Sequence, residues 1–454
     1  MTTTRPNVLF IMSDQHRYDY LGCAGADFID TPNIDHLASN GMHFTQCTTN
    51  SPVCAPARIG LASGLQPWRI GALNNQSFLP RSTTTFYQRL RDYDYRVGCV
   101  GKLDLAKPDH YNGRYGDRPS AYRFGFTHPH EAEGKMHAGQ HPEPIGPYTH
   151  FLHDRGLLTT FHEDYMRRRD IGWMRDFTDS ALPTDAFEDA YIGQHAVDFI
   201  DWVPDDFPWF YYVSFVGPHD PFDPPTEYAD RYRTRPMPEP IADDLRSKPR
   251  RIQNRFVDMS AEETTNARRQ YCAAMELNDF YIGKMVEALE RRGQLENTYI
   301  IYTSDHGEML GDHGLYQKHV AYEASMRVPL VIAGPDIAKG QTSDALVELI
   351  DLNATVCDLA GLPDQENIDA QSLRPVLENQ TSDHRTETLT VETGYAGLRT
   401  PQYKYIDTTN DMVELYDLDN DPYELNNIAE AQPEITQKFE KRLRERLTED
   451  KWLR

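Results

Sequence analysis

Residues 7–13, NVLFIMS, form an unbroken apolar run that stops at Asp14. An alternating pattern would mark a strand with one wet face, whereas a continuous run suits a strand covered on both faces, as in a mostly parallel sheet. Similar runs recur at residues 95–100, 209–216, 298–303 and 328–332. Helical spacing lies between them. Tyr271, Ala274, Leu277, Ile282, Met285 and Leu289 share one face across residues 268–291, and residues 185–202 have the same character. Strands alternating with helices predict an α/β fold with a large, mostly parallel sheet sandwiched by helices.

From about Thr386 the pattern turns to short extended segments (389–392, 403–406, 413–416) and a closing polar helix near residues 432–447. That predicts a smaller C-terminal subdomain with an antiparallel sheet, and a division into residues 1–385 and 386–454. Residues 104–184 and 218–258 show little periodicity but are rich in Tyr, His, Arg, Gly and Pro. Their aromatic content predicts ordered, irregular loops over the sheet, where binding residues gather.

The 454 residues carry 46 Lys and Arg against 70 Asp and Glu, a net charge of −24. Such acidity disfavours nucleic acid, anionic lipid and long polyanions as partners. The opening MTTTRPNVLF lacks the features of a signal peptide and no apolar stretch reaches about 18 residues, so the expectation is an unanchored, cytoplasmic protein. The six cysteines form no CxxC or CxxH pair, and all but Cys54 read as buried small hydrophobes.

Chemistry concentrates in six short stretches. In SPVCAPARIGLASG (51–64), Pro56 fits a first helical turn, which puts Cys54 at a helix N-terminus that favours anions, with Arg58 expected to face the same anion. Asp14 and Gln15 end the first apolar run, while Asp305 and His306 end TYIIYTSD and its continuation. Ligands collect beyond the carboxyl ends of strands in open α/β sheets, so these two loops can meet over one cation, and oxygen donors favour Ca²⁺ or Mg²⁺. His219, in GPHDPF, follows an apolar strand within a rigid proline frame. Lys102 in GKLDL and Lys318 in LYQKHVAYE complete the set.

These landmarks, together with RPNVLFIMSDQHRYDYLGC, TPNIDHLASNGMHF, SFVGPHDPF, YTSDHGEMLGDHGLYQKHVAYEASMRVPLVIAGP, YKYID and ELYDLDNDPYELNN, fall in an order that resembles the formylglycine-dependent (type I) sulfatases of the alkaline phosphatase superfamily. The resemblance implies an alkaline phosphatase-like fold and conversion of Cys54 to formylglycine by a generating maturase. It implies a cation, Ca²⁺ rather than Mg²⁺, held by Asp14, Gln15, formylglycine 54, Asp305 and His306. Lys102, Lys318 and Arg58 would then hold the sulfuryl oxygens, His219 would protonate the departing alcohol, and a covalent sulfo-enzyme intermediate would release sulfate. Asn75 reads either as a contact to the anion or hydrated aldehyde or as a turn cap, His319 is a further candidate anion or substrate contact, and His313 reads as structural.

Three positions depart from the family pattern. Gln15 stands where many members have Asp, His306 where many have Asn, and Asp104 where the G-K-x-H pattern has histidine, leaving Asp104 either a substitute base or a structural residue. The implied substrate is a small sulfated sugar or oligosaccharide, with the region 111–162 expected to stack on sugar rings and His110, Arg114, Arg123, His128 and His130 as candidate contacts. Choline sulfate is an alternative substrate. Alternative activities are a formylglycine-dependent phosphonate monoester hydrolase or phosphodiesterase, or a non-catalytic anion binder.

Overall fold

The opening apolar run is β1 (Asn7–Asp14), and every residue in it is buried. In this computed structural model, residues 5–109 and 111–447 are described. β1 joins β2 (Gly41–Thr48), β3 (Arg96–Gly101), β4 (His128–Glu131), β5 (Trp209–Pro218), β6 (Thr298–Ser304), β7 (Leu330–Ala333) and β8 (Gln341–Glu348) in one sheet. Its order is β4-β3-β5-β1-β6-β7-β2-β8, parallel throughout except that β7 runs against both neighbours. The expected mostly parallel sheet is present. β2, β4 and β8 escaped the sequence reading because polar residues interrupt them. β4 and β8 are also edge strands, where polar side chains face water.

The two-sided burial inferred for β1 is visible residue by residue. Leu9 and Ile11 enter one apolar cluster, with Ile192, Ala196, Met275 and Ile282 from helices Glu188–Trp202 and Ala261–Arg291. Val8, Phe10 and Met12 enter the other, with Ile59 and Ala62 from helix Cys54–Ser63 and Leu352 and Val356 from helix Asp351–Leu359. Burying each such aliphatic or aromatic side chain contributes about 1.5–3 kcal/mol, which fixes both the register and the face of the sheet.

Residues 104–184 are not the irregular loop expected from their sequence. They contain helices Pro119–Phe124, Lys135–Gly139, Pro147–Asp154 and Leu158–Ile171. In the last, only Leu158, Phe161, Tyr165 and Arg168 are buried, so the eight other polar residues mask the apolar stripe. Segment 218–258 likewise holds two short helices, Thr226–Tyr232 and Arg250–Gln253. Cys23 is half-buried, unlike the other four cysteines expected to be core residues.

A second sheet contains β9 (Thr388–Glu392), β10 (Tyr395–Arg399), β11 (Tyr403–Thr408) and β12 (Val413–Asp417), all antiparallel. One face packs Leu389, Val391, Leu398 and Tyr405 on Phe439 and Leu443 of helix Pro433–Arg446. On the other, Tyr395, Ile406 and Tyr416 pack against Met309, Leu315, Val320 and Tyr322. The small sheet therefore braces the segment that carries Lys318. No described helix is long and apolar enough to cross a membrane.

Candidate active site

Register explains why the chemistry converges. Ser13 of β1 pairs with Ser304 of β6, so Asp14 and Asp305 emerge side by side. β5 lies on the other flank of β1 and leads from Pro218 into His219, while β3, next to β5, leads from Gly101 into Lys102. Cys54 begins helix Cys54–Ser63, which ends at Gly64 in the left-handed conformation. Cys54 is fully buried.

Asp14, Cys54, Asp305 and His306 place one potential ligand atom each within 4.8 Å of one another. His306 Nδ1 lies 3.0 Å from the Gly307 carbonyl, which leaves Nε2 facing inward, 3.2 Å from Cys54 Sγ and 3.7 Å from both Asp14 and Asp305. A hydrogen bond that fixes the far ring nitrogen is the usual support for a metal-ligating histidine. Burial alone would push His306 protonation down, but Asp305 and the Cys54 sulfur raise it. Two carboxylates and one imidazole suit a divalent cation. Burial would also push the Cys54 thiol up, yet Lys102, Lys107, Lys318 and His306 hold it well below its ordinary range.

Lys102 Nζ bonds Asp14 and lies 3.2 Å from Asp104. Lys318 Nζ reaches His219 Nε2 and Gln15 Oε1, both at 2.5 Å. His219 Nδ1 sits 2.6 Å from the Asp220 carbonyl, so this ring too has its outer nitrogen fixed and Nε2 turned to the site. Gln15 is buried with its side-chain amide bonded to Glu308 and, at 3.2 Å, to Asp220. Its carbonyl serves Lys318.

Arg58 also departs from expectation. Nε donates to Asp305 at 2.8 Å, one terminal nitrogen donates to the Lys102 carbonyl and Ser214 at 2.6 Å, and the other to Asp14 at 3.4 Å. Only 1 % of its side chain is exposed. Arg58 is thus sealed behind the two carboxylates and aligns them, instead of facing an anion. His319 turns away as well, bonding Glu392 of β9 at 2.8 Å. His313 bonds Asp243 at 2.9 Å, which matches a structural role. Asn75 accepts from the Ala55 amide at 3.2 Å, beside the start of the Cys54 helix.

A cavity of about 310 Å³ opens over Lys102, Asp104, His219 and Asn75. Its wall comes from residues 107–140, including Lys107, Arg118, Glu131 and Lys135. The segment expected to carry substrate contacts does line the cavity, but through residues the sequence did not single out. Arg114 pairs with Asp154, Arg123 lies over Phe124, His128 packs on Trp202 and His130 stacks on His195. His110 lies outside the described residues. No Phe, Tyr or Trp is among the described residues lining the cavity, while Tyr111, Tyr115 and Tyr122 of the same segment are exposed. Lys107 and Glu308 were missed, although each stands inside a quoted or adjoining motif: Lys107 three residues after Asp104, and Glu308 two after His306.

Residues 6–362 match the sulfatase family, and residues 311–451 match the C-terminal region of N-sulphoglucosamine sulphohydrolase. A choline-sulfatase of Rhizobium meliloti (strain 1021) is 30% identical, covering 95% of this chain and 83% of the relative. An arylsulfatase of Clostridium perfringens (strain 13 / Type A) is 27% identical over 94% of this chain and 91% of the relative. Among solved structures, the phosphonate monoester hydrolase of Agrobacterium radiobacter superposes with a TM-score of 0.83 at 25% identity, covering 97% and 95% of the two chains. With that coverage, the chain belongs to the sulfatase family of the alkaline phosphatase superfamily and is a sulfuric ester hydrolase.

Proposed function

We propose that this sulfatase hydrolyses the sulfate ester of a small sulfated sugar, using a formylglycine made from Cys54 by a generating maturase and a Ca²⁺ ion held by Asp14, Asp305 and His306. The observation that carries the reading is the convergence of Cys54, Lys102, Lys318 and His219 on one cluster, of which Lys102 and His219 also line the cavity. When present, the formylglycine hydrate supplies the oxygen nucleophile and the cation supplies charge beside it. Lys102 and Lys318 hold the sulfuryl oxygens, stabilising charge that grows in the transition state. His219 presents Nε2 to the ester oxygen and delivers a proton there as the alcohol departs.

The cavity favours a polyol over choline. A quaternary ammonium group is best held against aromatic faces, and the described lining offers none. Its amides, carboxylates and ammonium groups instead match the hydroxyls of one or two sugar rings. A second reading, phosphonate monoester hydrolysis, draws on Asp104 in place of the family histidine and on the likeness to the Agrobacterium enzyme.

The test is peptide mass spectrometry across Cys54, on protein made with and without a formylglycine-generating enzyme. It is paired with turnover of an aryl sulfate, a panel of sulfated sugars, choline sulfate and phenylphosphonate. Conversion of Cys54 that tracks sulfate release from sugars supports the proposal. Turnover confined to phenylphosphonate would transfer the assignment to the second reading.

A further inference from the structure

Asp104 carries more than a family substitution. Its Oδ2 accepts from Lys107 Nζ at 2.6 Å and lies 3.2 Å from Lys102 Nζ, so one carboxylate oxygen joins two lysines. Lys102 continues to Asp14, giving an alternating row Asp14, Lys102, Asp104, Lys107 that runs from the cation cluster into the cavity. Both ammonium groups therefore lie within reach of one tetrahedral anion.

The backbone is built for this placement. Asp104 holds a φ of 55°, a left-handed conformation that costs a residue with a side chain and persists only where surroundings impose it. The following residues are pinned by a bridge between Phe78 and Ala106 and by the Leu79 amide on the Leu105 carbonyl at 2.9 Å. Lys107 consequently stands in the cavity wall beside Asn75 and Gln76. The other cationic wall residues are committed elsewhere: Arg118 is bidentate with Glu131, and Lys135 is held by Asp223 and the Pro221 carbonyl. Lys107 is 29% exposed, against 8% for Lys102, so it retains a face toward the cavity. Its charge also acts on the Cys54 sulfur, alongside those of Lys102 and Lys318.

We propose that Lys107 is a third anion-binding lysine of the active site, contacting the sulfate group of the substrate, and that Asp104 is the positioning residue that sets Lys102 and Lys107 around it. The proposal rests on the sulfatase reading above. It assigns the place of the missing histidine to a carboxylate and lysine pair: the carboxylate stays neutralised between two cations, and the outer cation meets the anion.

A double-mutant cycle tests it, using converted enzyme and reading kcat/KM on an aryl sulfate together with the inhibition constant of inorganic sulfate. Lys107→Met is expected to lower kcat/KM by about 100-fold and to weaken sulfate inhibition by at least about tenfold, whereas Lys107→Arg retains most of both. Asp104→Asn, which keeps one acceptor, is expected to raise KM more than it lowers kcat. The double variant distinguishes contact from simple neutralisation. If Lys107 touches the anion, Asp104→Asn/Lys107→Met stays at least about tenfold below wild type. If Lys107 only neutralises Asp104, the double variant returns to wild-type kcat/KM and the proposal falls. It falls equally if Lys107→Met leaves turnover and sulfate inhibition within twofold of wild type. Should wild type act only on phenylphosphonate, the sulfatase reading fails, and the same cycle on that tetrahedral anion decides the role of Lys107 separately.

Discussion

The side-chain carbonyl of Gln15 lies 2.5 Å from Lys318 Nζ, making the residue after the first metal-cluster aspartate a guide for a lysine. Glu308 fixes the other end of the Gln15 amide and also accepts the backbone amides of Leu310 and Gln317, the residue before Lys318. One buried carboxylate thus sets both partners of the Gln15–Lys318 bond. Replacing Glu308 by Gln would put an amide donor against donors. An unsatisfied buried group costs about 1–3 kcal/mol, so Glu308→Gln is expected to lower kcat/KM by about tenfold or more and to weaken inorganic sulfate inhibition in parallel. Steady-state kinetics on folded, converted variant checks this, and wild-type values for both constants would show that Gln15 orients itself without Glu308.

His219 is expected to matter in proportion to the difficulty of the leaving group. Its Nδ1 is anchored on the Asp220 carbonyl, and Nε2 faces the site. General-acid help contributes about 10²–10⁴-fold when the departing oxygen is a poor leaving group and far less when it is acidic. His219→Ala is therefore expected to cost about 10³-fold on a sugar or alkyl sulfate and about tenfold on nitrophenyl sulfate. A series of phenyl sulfates of graded acidity measures the slope. Equal losses across the series would remove His219 from proton transfer.

The parts of the fold and site legible in sequence were those where one physical requirement dominates a contiguous stretch. β1 and β6 read plainly because burial on both faces forces continuous apolar residues, and Asp14 and Asp305 then fall at their ends. The helix at Cys54 was legible from Pro56 and Gly64. Edge strands β4 and β8 were not, since water replaces the apolar requirement on their open side. Arg58 misled because a cation near an anion site and a cation behind two carboxylates have the same local sequence. Only the surroundings, Asp14, Asp305, Ser214 and the Lys102 carbonyl, distinguish them. Lys107 was hidden because its partner and its cavity are set by the turn at Asp104, whose positive φ has no sequence signal.

Asp189 gives stability a pH dependence of predictable sign. Its Oδ1 accepts the amides of Val216 and Gly217, steadying the end of β5 before His219, while Oδ2 is buried without a hydrogen-bond partner among the described residues. Burial pushes its carboxyl up to about 6 from the usual 3.8. Because the folded value lies above the unfolded one, the protonated form favours the fold. That advantage is complete below pH 3.8, shrinks as pH rises through the window to about 6, and is gone above it. Two pH units correspond to about 3 kcal/mol, an upper bound for one group. Asp189→Asn removes this titration, so its stability relative to wild type is expected to improve by about 1–3 kcal/mol between pH 4.5 and pH 8. Urea unfolding at the two pH values measures the change. A gap that is constant, or that moves in favour of wild type, would contradict the assignment.

The candidate metal cluster of Asp14, Cys54, Asp305 and His306 is expected to discriminate between calcium and zinc through its imidazole. Asp14 and Asp305 give two carboxylates, His306 gives an imidazole, and the Gln15 carbonyl is occupied by Lys318. Calcium takes about six to eight oxygen ligands, so an imidazole in this set weakens it, whereas zinc accepts imidazole readily. His306→Asn exchanges that nitrogen for an amide oxygen of similar reach. The variant is expected to bind Ca²⁺ about tenfold more tightly and Zn²⁺ less tightly than wild type, by calorimetry on chelator-treated protein carrying unmodified Cys54. This readout needs no turnover and so separates coordination from catalysis. Opposite movement of the two ions identifies His306 as a ligand through its ring nitrogen. Unchanged isotherms for both would place His306 outside the coordination shell and leave the 3.2 Å approach of its Nε2 to Cys54 Sγ as a contact with the nucleophile alone.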